Sequence, residues 1–286
     1  MNEVKETVNL KRTLELFEIP RSSFYERINR EESHRDRENR RLLKKIKQIW
    51  ELSNRVYGAP KIHSLLITHE NEDCSLKRVQ KLMKENNIRS ITQKKWRPQG
   101  SSTPTPDDRE NLLKQDFTTT GINQVWVTDI TYIWTGRDEW SYLSTILDLH
   151  SRKAIWSFGQ QMTVDLVLDT LTKAIQRYGR NEGLILHSDL GSQYTSEEYE
   201  KALEKYGILH SFSRKATPYD NAVMESFHSI LKKEEVYQKN YPDYQTAHRE
   251  LFQYIEAFYN RKRVHSALGN RTPLDVENQY LDQSII

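Results

Sequence analysis

Gln124-Val125-Trp126-Val127-Thr128-Asp129-Ile130-Thr131-Tyr132-Ile133-Trp134 is the stretch on which the fold turns. β-Branched and aromatic residues crowd it, so it predicts a strand. Gly136 marks a turn, and residues 142–149 and 154–158 predict the next two strands of a meander. Val164, Val167, Leu168, Leu171, Ile175 and Tyr178 then recur at helical spacing, closed by Gly179. Residues 183–189 predict a short buried strand ending at an acid. Thr195-Ser196-Glu197-Glu198 reads as a capping box for a helix that ends at Gly207, and residues 209–212 predict a fifth strand. With the helix that follows, the order is βββαβαβα, an α/β fold with a mixed sheet flanked by helices.

That last helix lies in Pro218-Tyr219-Asp220-Asn221-Ala222-Val223-Met224-Glu225-Ser226-Phe227-His228-Ser229-Ile230-Leu231-Lys232-Lys233. Asp220 and Asn221 are both good N-cap types. At 100° per residue, Val223, Phe227, Ile230 and Leu231 form an apolar side, with Glu225, His228, Ser229 and Lys232 opposite. Lys232 stands about 10 Å along the axis from Glu225. That is too far to share a metal with the acid and suits a phosphate of a bound strand.

Three acids stand out. Asp129 sits mid-strand, where aspartate is disfavoured. Asp189 ends a hydrophobic strand, where ligand-contacting acids often lie. Glu225 opens the last core helix. If the first strand is central with the fourth beside it, these acids converge at one edge. Three converging carboxylates repel unless cations lie between them. A pair of Mg2+ ions would relieve the repulsion and serve in-line displacement at a phosphodiester. Each acid also has a plain structural reading: a buried bonded acid, a turn-former and a surface charge.

The chain has 286 residues, 36% hydrophobic and 29% charged, enough for about two domains and too ordered in composition for a disordered chain. No apolar run is long enough to span a membrane, and the opening residues do not read as a signal peptide. A single cysteine, Cys74, fits a reducing cytosol. Together with His63 and His69 it lacks the spacing of a zinc site.

The net charge of +3 is unevenly spread. Residues 1–97 carry 23 Lys and Arg against 14 Asp and Glu, while the remainder carries 20 against 26. A basic first third beside an acidic remainder suggests a nucleic-acid-binding module joined to a part that uses carboxylates. Residues 14–25 read as two helices about a Pro20 turn, the second capped by Ser22. Residues 31–41 open a long charged helix, with Leu43, Ile46, Ile49 and Trp50 inward. A helix over 61–69 follows, then one capped by Ser75 that presents Lys77, Arg78, Lys81 and Lys84 outward. Such a bundle can bind DNA or be only a solvated helical domain. Arg97-Pro98-Gln99-Gly100-Ser101-Ser102-Thr103-Pro104-Thr105-Pro106 reads as a linker. The expected division is a helical module over 1–96, a linker over 97–109, a catalytic core over 110–236 and a helical extension over 237–286. The extension contains a good apolar period over 244–259 and a basic, Gly-punctuated stretch over 260–273.

The phrases at 125–132, His187-Ser188-Asp189-Leu190-Gly191-Ser192-Gln193-Tyr194-Thr195-Ser196 and 220–227 closely resemble the catalytic core of the DDE transposases of the IS-three insertion-sequence family, relatives of retroviral integrases. The likeness extends over about residues 33–275, and residues 259–273 resemble the family's C-terminal signature. Asp129, Asp189 and Glu225 match the family's metal-binding acids, and the thirty-five residues between the last two match its spacing. The resemblance implies an RNase H-like fold, a helix-turn-helix module, and cleavage and joining of transposon ends with two Mg2+ ions, for which Mn2+ can substitute. DNA contacts are expected at Lys77, Arg78, Lys81, Arg214, Lys215, Asn221, Lys232, Arg261 and Arg263, and the resemblance agrees for Lys232, whose place after the glutamate is commonly basic in the family. It further implies transposon-end and target DNA as partners, at least a dimer on DNA, an OrfA segment or protein, and residence in the bacterial cytoplasm at the nucleoid. The paired His and Cys residues of the integrase zinc domain are missing. The rival readings are an RNase H-like nuclease that does not join ends and a DNA-binding regulator.

Overall fold

The computed structural model describes residues 14–18, 20–28, 32–92, 109–179, 182–214 and 217–283. Most of the stretch read as a linker, and Lys215, lie outside these residues.

Five strands form one sheet: β1 (Val125–Thr135), β2 (Glu139–Asp148), β3 (Ala154–Gly159), β4 (Ile185–Ser188) and β5 (Leu209–Phe212). The sheet order is β3-β2-β1-β4-β5. The first three strands run antiparallel, and β4 and β5 join parallel to β1 and to each other. This is the mixed sheet flanked by helices expected from the sequence. β1 is central because both its faces are apolar. Val125, Val127 and Ile133 enter one core, Trp126 another. A two-sided burial of this kind produces the near-continuous apolar run in the sequence.

The second core holds the crossover helices. Val167 and Leu171 of α5 (Val164–Tyr178) and Tyr199 and Leu203 of α6 (Glu197–Tyr206) pack on Trp126, Ile146 and Leu186. Gly207 ends α6 in a left-handed conformation, φ 68°, which glycine adopts without a Cβ penalty. The box at the start of α6 is only half made. Ser196, not Thr195, is the cap, accepting from the Tyr199 N–H, so the third helical position holds a tyrosine and not the acid a box requires.

On the other face lies α7 (Ala222–Glu234), entered through a 3-10 turn over Pro218–Asn221. Its Met224, Phe227 and Leu231 bury against β1 and against the C-terminal helices. These are α8 (Tyr244–Phe252), continued as a π-helix over Gln253–Tyr259, and α9 (Pro273–Gln283). The apolar period read over 244–259 is thus one helical rod with a change of pitch inside it. The widened turn coincides with buried Tyr254, Ile255, Phe258 and Tyr259.

The N-terminal helices are α1 (Arg21–Ile28), α2 (His34–Leu52), α3 (Ala59–Thr68) and α4 (Leu76–Glu85). Ser33 and Ser75 cap α2 and α4 by accepting from the Asp36 and Arg78 N–H groups. Ser22, expected as a cap, lies inside α1, which already includes Arg21. Ile46, Ile62, Leu66, Val79 and Met83 form the inner face, continuous with the core under α7. The Tyr57 hydroxyl ties this bundle to the C-terminal segment, donating to the Lys262 carbonyl at 3.3 Å and accepting from the Val264 N–H at 2.9 Å.

Candidate active site

β4 pairs with β1 only at residues 125–127, with Val127 opposite His187. Two residues further on in this parallel register, Asp129 and Asp189 come level, just where the strands part. Because side chains alternate, both acids face the α7 side of the sheet. The strands thus bring together two residues sixty positions apart in the chain.

Each carboxylate is oriented by its surroundings. Asp129 Oδ1 accepts from the Ile130 N–H at 2.8 Å, and its Oδ2 lies 3.5 Å from His228 Nδ1. Asp189 Oδ1 accepts from the Gly191 N–H at 2.9 Å. A Cβ on residue 191 would stand 2.9 Å from that same oxygen, so any larger residue there would push the carboxylate aside. Desolvation first, and the Asp129 charge second, push the Asp189 carboxyl above the ordinary carboxylate range. Asp189 nonetheless keeps an exposed edge open to solvent.

Glu225 is exposed in the first turn of α7, where the helix dipole favours an acid. Among the described residues, no three His, Cys, Asp or Glu side chains are gathered closely enough to hold a metal ion. The structure sets two acids together and holds the third apart. Repulsion among three carboxylates is the physical reason for such an open arrangement. The donors still suit a hard divalent cation: they are carboxylate oxygens, and two already crowd each other.

His228 was expected on the outer side with Glu225 and Lys232. It is instead 5% exposed, and its Nε2 is buried without a hydrogen-bond partner. Met224, His228 and Leu231, spaced i, i+4, i+7, are the row α7 buries. That spacing was the signal for His228, masked by its polarity. The aromatic wall beyond Asp129 also escaped notice. Tyr132 and Trp134 pair across the ladder with Tyr142 and Trp140 on one face of the β1–β2 hairpin. They line a cleft of about 800 Å³ together with Lys232, which is half-buried.

The remaining basic residues divide. Lys77, Lys81 and Arg261 are exposed. Arg78 is half-buried and donates to Asn39 at 2.8 Å and Glu38 at 3.2 Å. Arg214 is bound to Asp220, its Nε at 3.1 Å. Asp220 is no cap but an anchor, accepting also from Asn111 and Gln115. Burial works against its charge, but the bonds from Arg214 and Gln115 outweigh this and bring it down to about 2. Asn221 precedes α7 without a side-chain capping bond, and its Oδ1 is buried without a partner. Arg263, read from its basic neighbourhood as a DNA contact, is 4% exposed and forms a two-pronged pair with Glu234 at 2.7 and 2.8 Å. Local charge density could not show that the C-terminal segment folds under α7.

Residues 120–218 and 206–273 match the integrase core domain family, and residues 36–96 match an HTH-like domain. The chain is 37% identical over 255 residues to the transposase for insertion sequence element IS904 of Lactococcus lactis, covering 87% of this chain and 98% of that protein. It is 36% identical over 230 residues to transposase InsF for insertion sequence IS3A of Escherichia coli, covering 80% of this chain and 79% of that one. Among solved structures, the HTLV-2 integrase catalytic core domain in complex with magnesium superposes with a TM-score of 0.43 at 17% identity, over 56% of this chain and 99% of that one.

Proposed function

Because the chain belongs to the transposases of the IS3 family of insertion sequences, we propose that Asp129, Asp189 and Glu225 are the acids with which it cuts and joins the ends of its element. The chain is thereby a polynucleotidyl transferase. The single observation that carries the site assignment is the level placement of Asp129 and Asp189 on adjacent parallel strands under the helix that bears Glu225.

Asp129 and Asp189 would hold divalent cations, with Mg2+ the ion their hard oxygens suit and Mn2+ able to replace it. A pair of such ions held there would supply Lewis acidity for activating a water or a 3′-hydroxyl and for neutralising the leaving oxygen. The protein's own part is to hold and orient. The Gly191 N–H and His228 fix the two aspartates, and α7 carries Glu225 towards them. Lys232, further along α7, takes a phosphate of the bound strand. The helices over 1–96, joined to the core through the 97–109 linker, bind DNA chiefly through phosphates, Lys77 and Lys81 being exposed for it. Two ends must be joined in concert, so the working form is at least a dimer on DNA, aided by an OrfA segment or protein.

The test uses a duplex carrying the terminal sequence that flanks the gene. Asp129→Asn, Asp189→Asn and Glu225→Gln should each abolish cleavage and joining while leaving end binding intact. Calorimetry should show that Mg2+ or Mn2+ binding is lost in the two aspartate variants. Lys232→Ala should weaken end binding and joining while metal binding stays unchanged. Full cleavage by any of the three acid variants would refute the assignment.

A further inference from the structure

Beside α7, on the flank away from Asp129, lies a cavity of about 290 Å³ where three parts of the chain meet. Lys61 comes from α3, Arg152 from the β2–β3 turn, Ser226 from α7, and Arg263, His265 and Ser266 from the C-terminal segment. Six polar side chains from four segments line it, and none of them is an acid.

The charge balance inside is lopsided. Arg263 has a partner, since both oxygens of Glu234 accept from its guanidinium. One of those oxygens also accepts from the Tyr254 hydroxyl at 2.8 Å. Glu234 also acts on Lys61, where its charge offsets part of the effect of burial. Among the described residues, Lys61 and Arg152 form no ion pair. Lys61 lies instead over the Tyr57 ring at 5.0 Å. Arg152 sits at φ 61° in a turn fixed by Asp148, whose carboxylate accepts from the Ser151 N–H and hydroxyl at 2.7 Å. Cations withdrawn from water normally have an opposite charge beside them.

Repulsion among them acts on two groups, Lys61 and His265, while the Asp148 charge supports that of Arg152. Burial, then Arg263, brings Lys61 down to about 8. Burial, then Arg263, Lys61 and Arg152, brings His265 down to about 2, so its ring is neutral. All three cations line the same cavity as this imidazole. An anion there would relieve all of these repulsions at once.

We propose that this cavity is a phosphate-binding site that takes one backbone phosphate of the DNA held against the core. Lys61 and Arg152 would supply the charge, and the Ser226 and Ser266 hydroxyls would donate to its oxygens. Ser226 adjoins Glu225 in sequence, so the bound phosphate lies beside the catalytic helix. A contact from α3 would also couple the N-terminal helices to the position of the cut strand. The proposal rests on the transposase reading of the core.

The experiment measures binding of a fluorescent duplex to the full chain across a salt titration. Lys61→Gln and Arg152→Gln should each weaken binding about tenfold and reduce the slope of log K against log salt by about 0.9, the value of one phosphate contact. Lys205→Gln, an equal loss of charge on exposed α6, should leave the slope unchanged. Inorganic phosphate should raise the melting temperature of the wild type and not of Lys61→Gln. Circular dichroism and melting curves confirm that the variants fold. A wild-type slope in both pocket variants overturns the proposal, even if free phosphate still stabilises the wild type. That outcome would leave the transposase reading standing, whereas a wild-type chain that binds no DNA at any salt would defeat both.

Discussion

Arg263→Ala tests whether the basic C-terminal segment is a DNA contact or a structural clasp. The guanidinium binds Glu234 through two bonds of 2.7 and 2.8 Å, and both side chains are nearly buried, at 5% and 7% exposure. Removing one partner of a buried pair costs about 3–5 kcal/mol, mostly from the carboxylate left without its cation. Here the Tyr254 hydroxyl still donates to Glu234, which offsets part of that loss. The contact of Arg263 with the Tyr259 ring, 5.8 Å from its centroid, adds about 0.5–1 kcal/mol to what is removed. A net loss of about 4 kcal/mol is expected, which lowers the melting temperature by roughly 8–16 °C for a chain of this size. Urea unfolding followed by tryptophan fluorescence measures it. Glu234→Gln combined with Arg263→Met should recover much of the loss, since a neutral pair leaves no buried charge. A destabilisation below about 1 kcal/mol in Arg263→Ala would refute the clasp.

The other predictions concern the groups the fold holds under electrostatic stress. Lys61→Gln should stabilise the protein at pH 7 by about 2 kcal/mol, from the lowered lysine pKa discounted for partial exposure. Arg263, Arg152, His265 and Glu234 face this lysine. The penalty on its charge is complete below pH 8 and relieved as pH rises from 8 towards 10.5, because the folded form deprotonates first. The gain should fade over that window, and a gain independent of pH would count against the reasoning. Asp189→Asn should raise the melting temperature of the metal-free protein at pH 7. The raised carboxyl is penalised above its folded pKa, so the advantage should vanish as pH falls below it to the ordinary value of 3.8. Gly191→Ala should displace the Asp189 carboxylate, whose Oδ1 would be 2.9 Å from the new Cβ. Strand cleavage should fall about 100-fold with DNA binding unchanged, the scale of a small misplacement of a catalytic group.

Much was legible in the sequence because local periodicity carries it. The run at 125–134, the stripe at 164–178 and the glycines at 179 and 207 mark strand, helix and helix end through rules that act within a few residues. Asp129 stood out because aspartate is disfavoured mid-strand, and Asp189 and Glu225 because of the strand end and the helix start they occupy. The level pairing of Asp129 with Asp189 needed the parallel register of β1 and β4, which comes from long-range packing on both faces of β1. The misreadings share one cause. Helical angle and charge density tell which residues share a face, but not what will cover it. His228 looked outward until β1 came to lie beneath it, with Asp129 at 3.5 Å. Arg263 read as surface charge until the C-terminal segment folded against Glu234 at the end of α7. The chain's own order determined strands, helices and acids. The tertiary structure alone decided which charges are buried and which face the solvent, because burial depends on contacts between residues far apart in the chain.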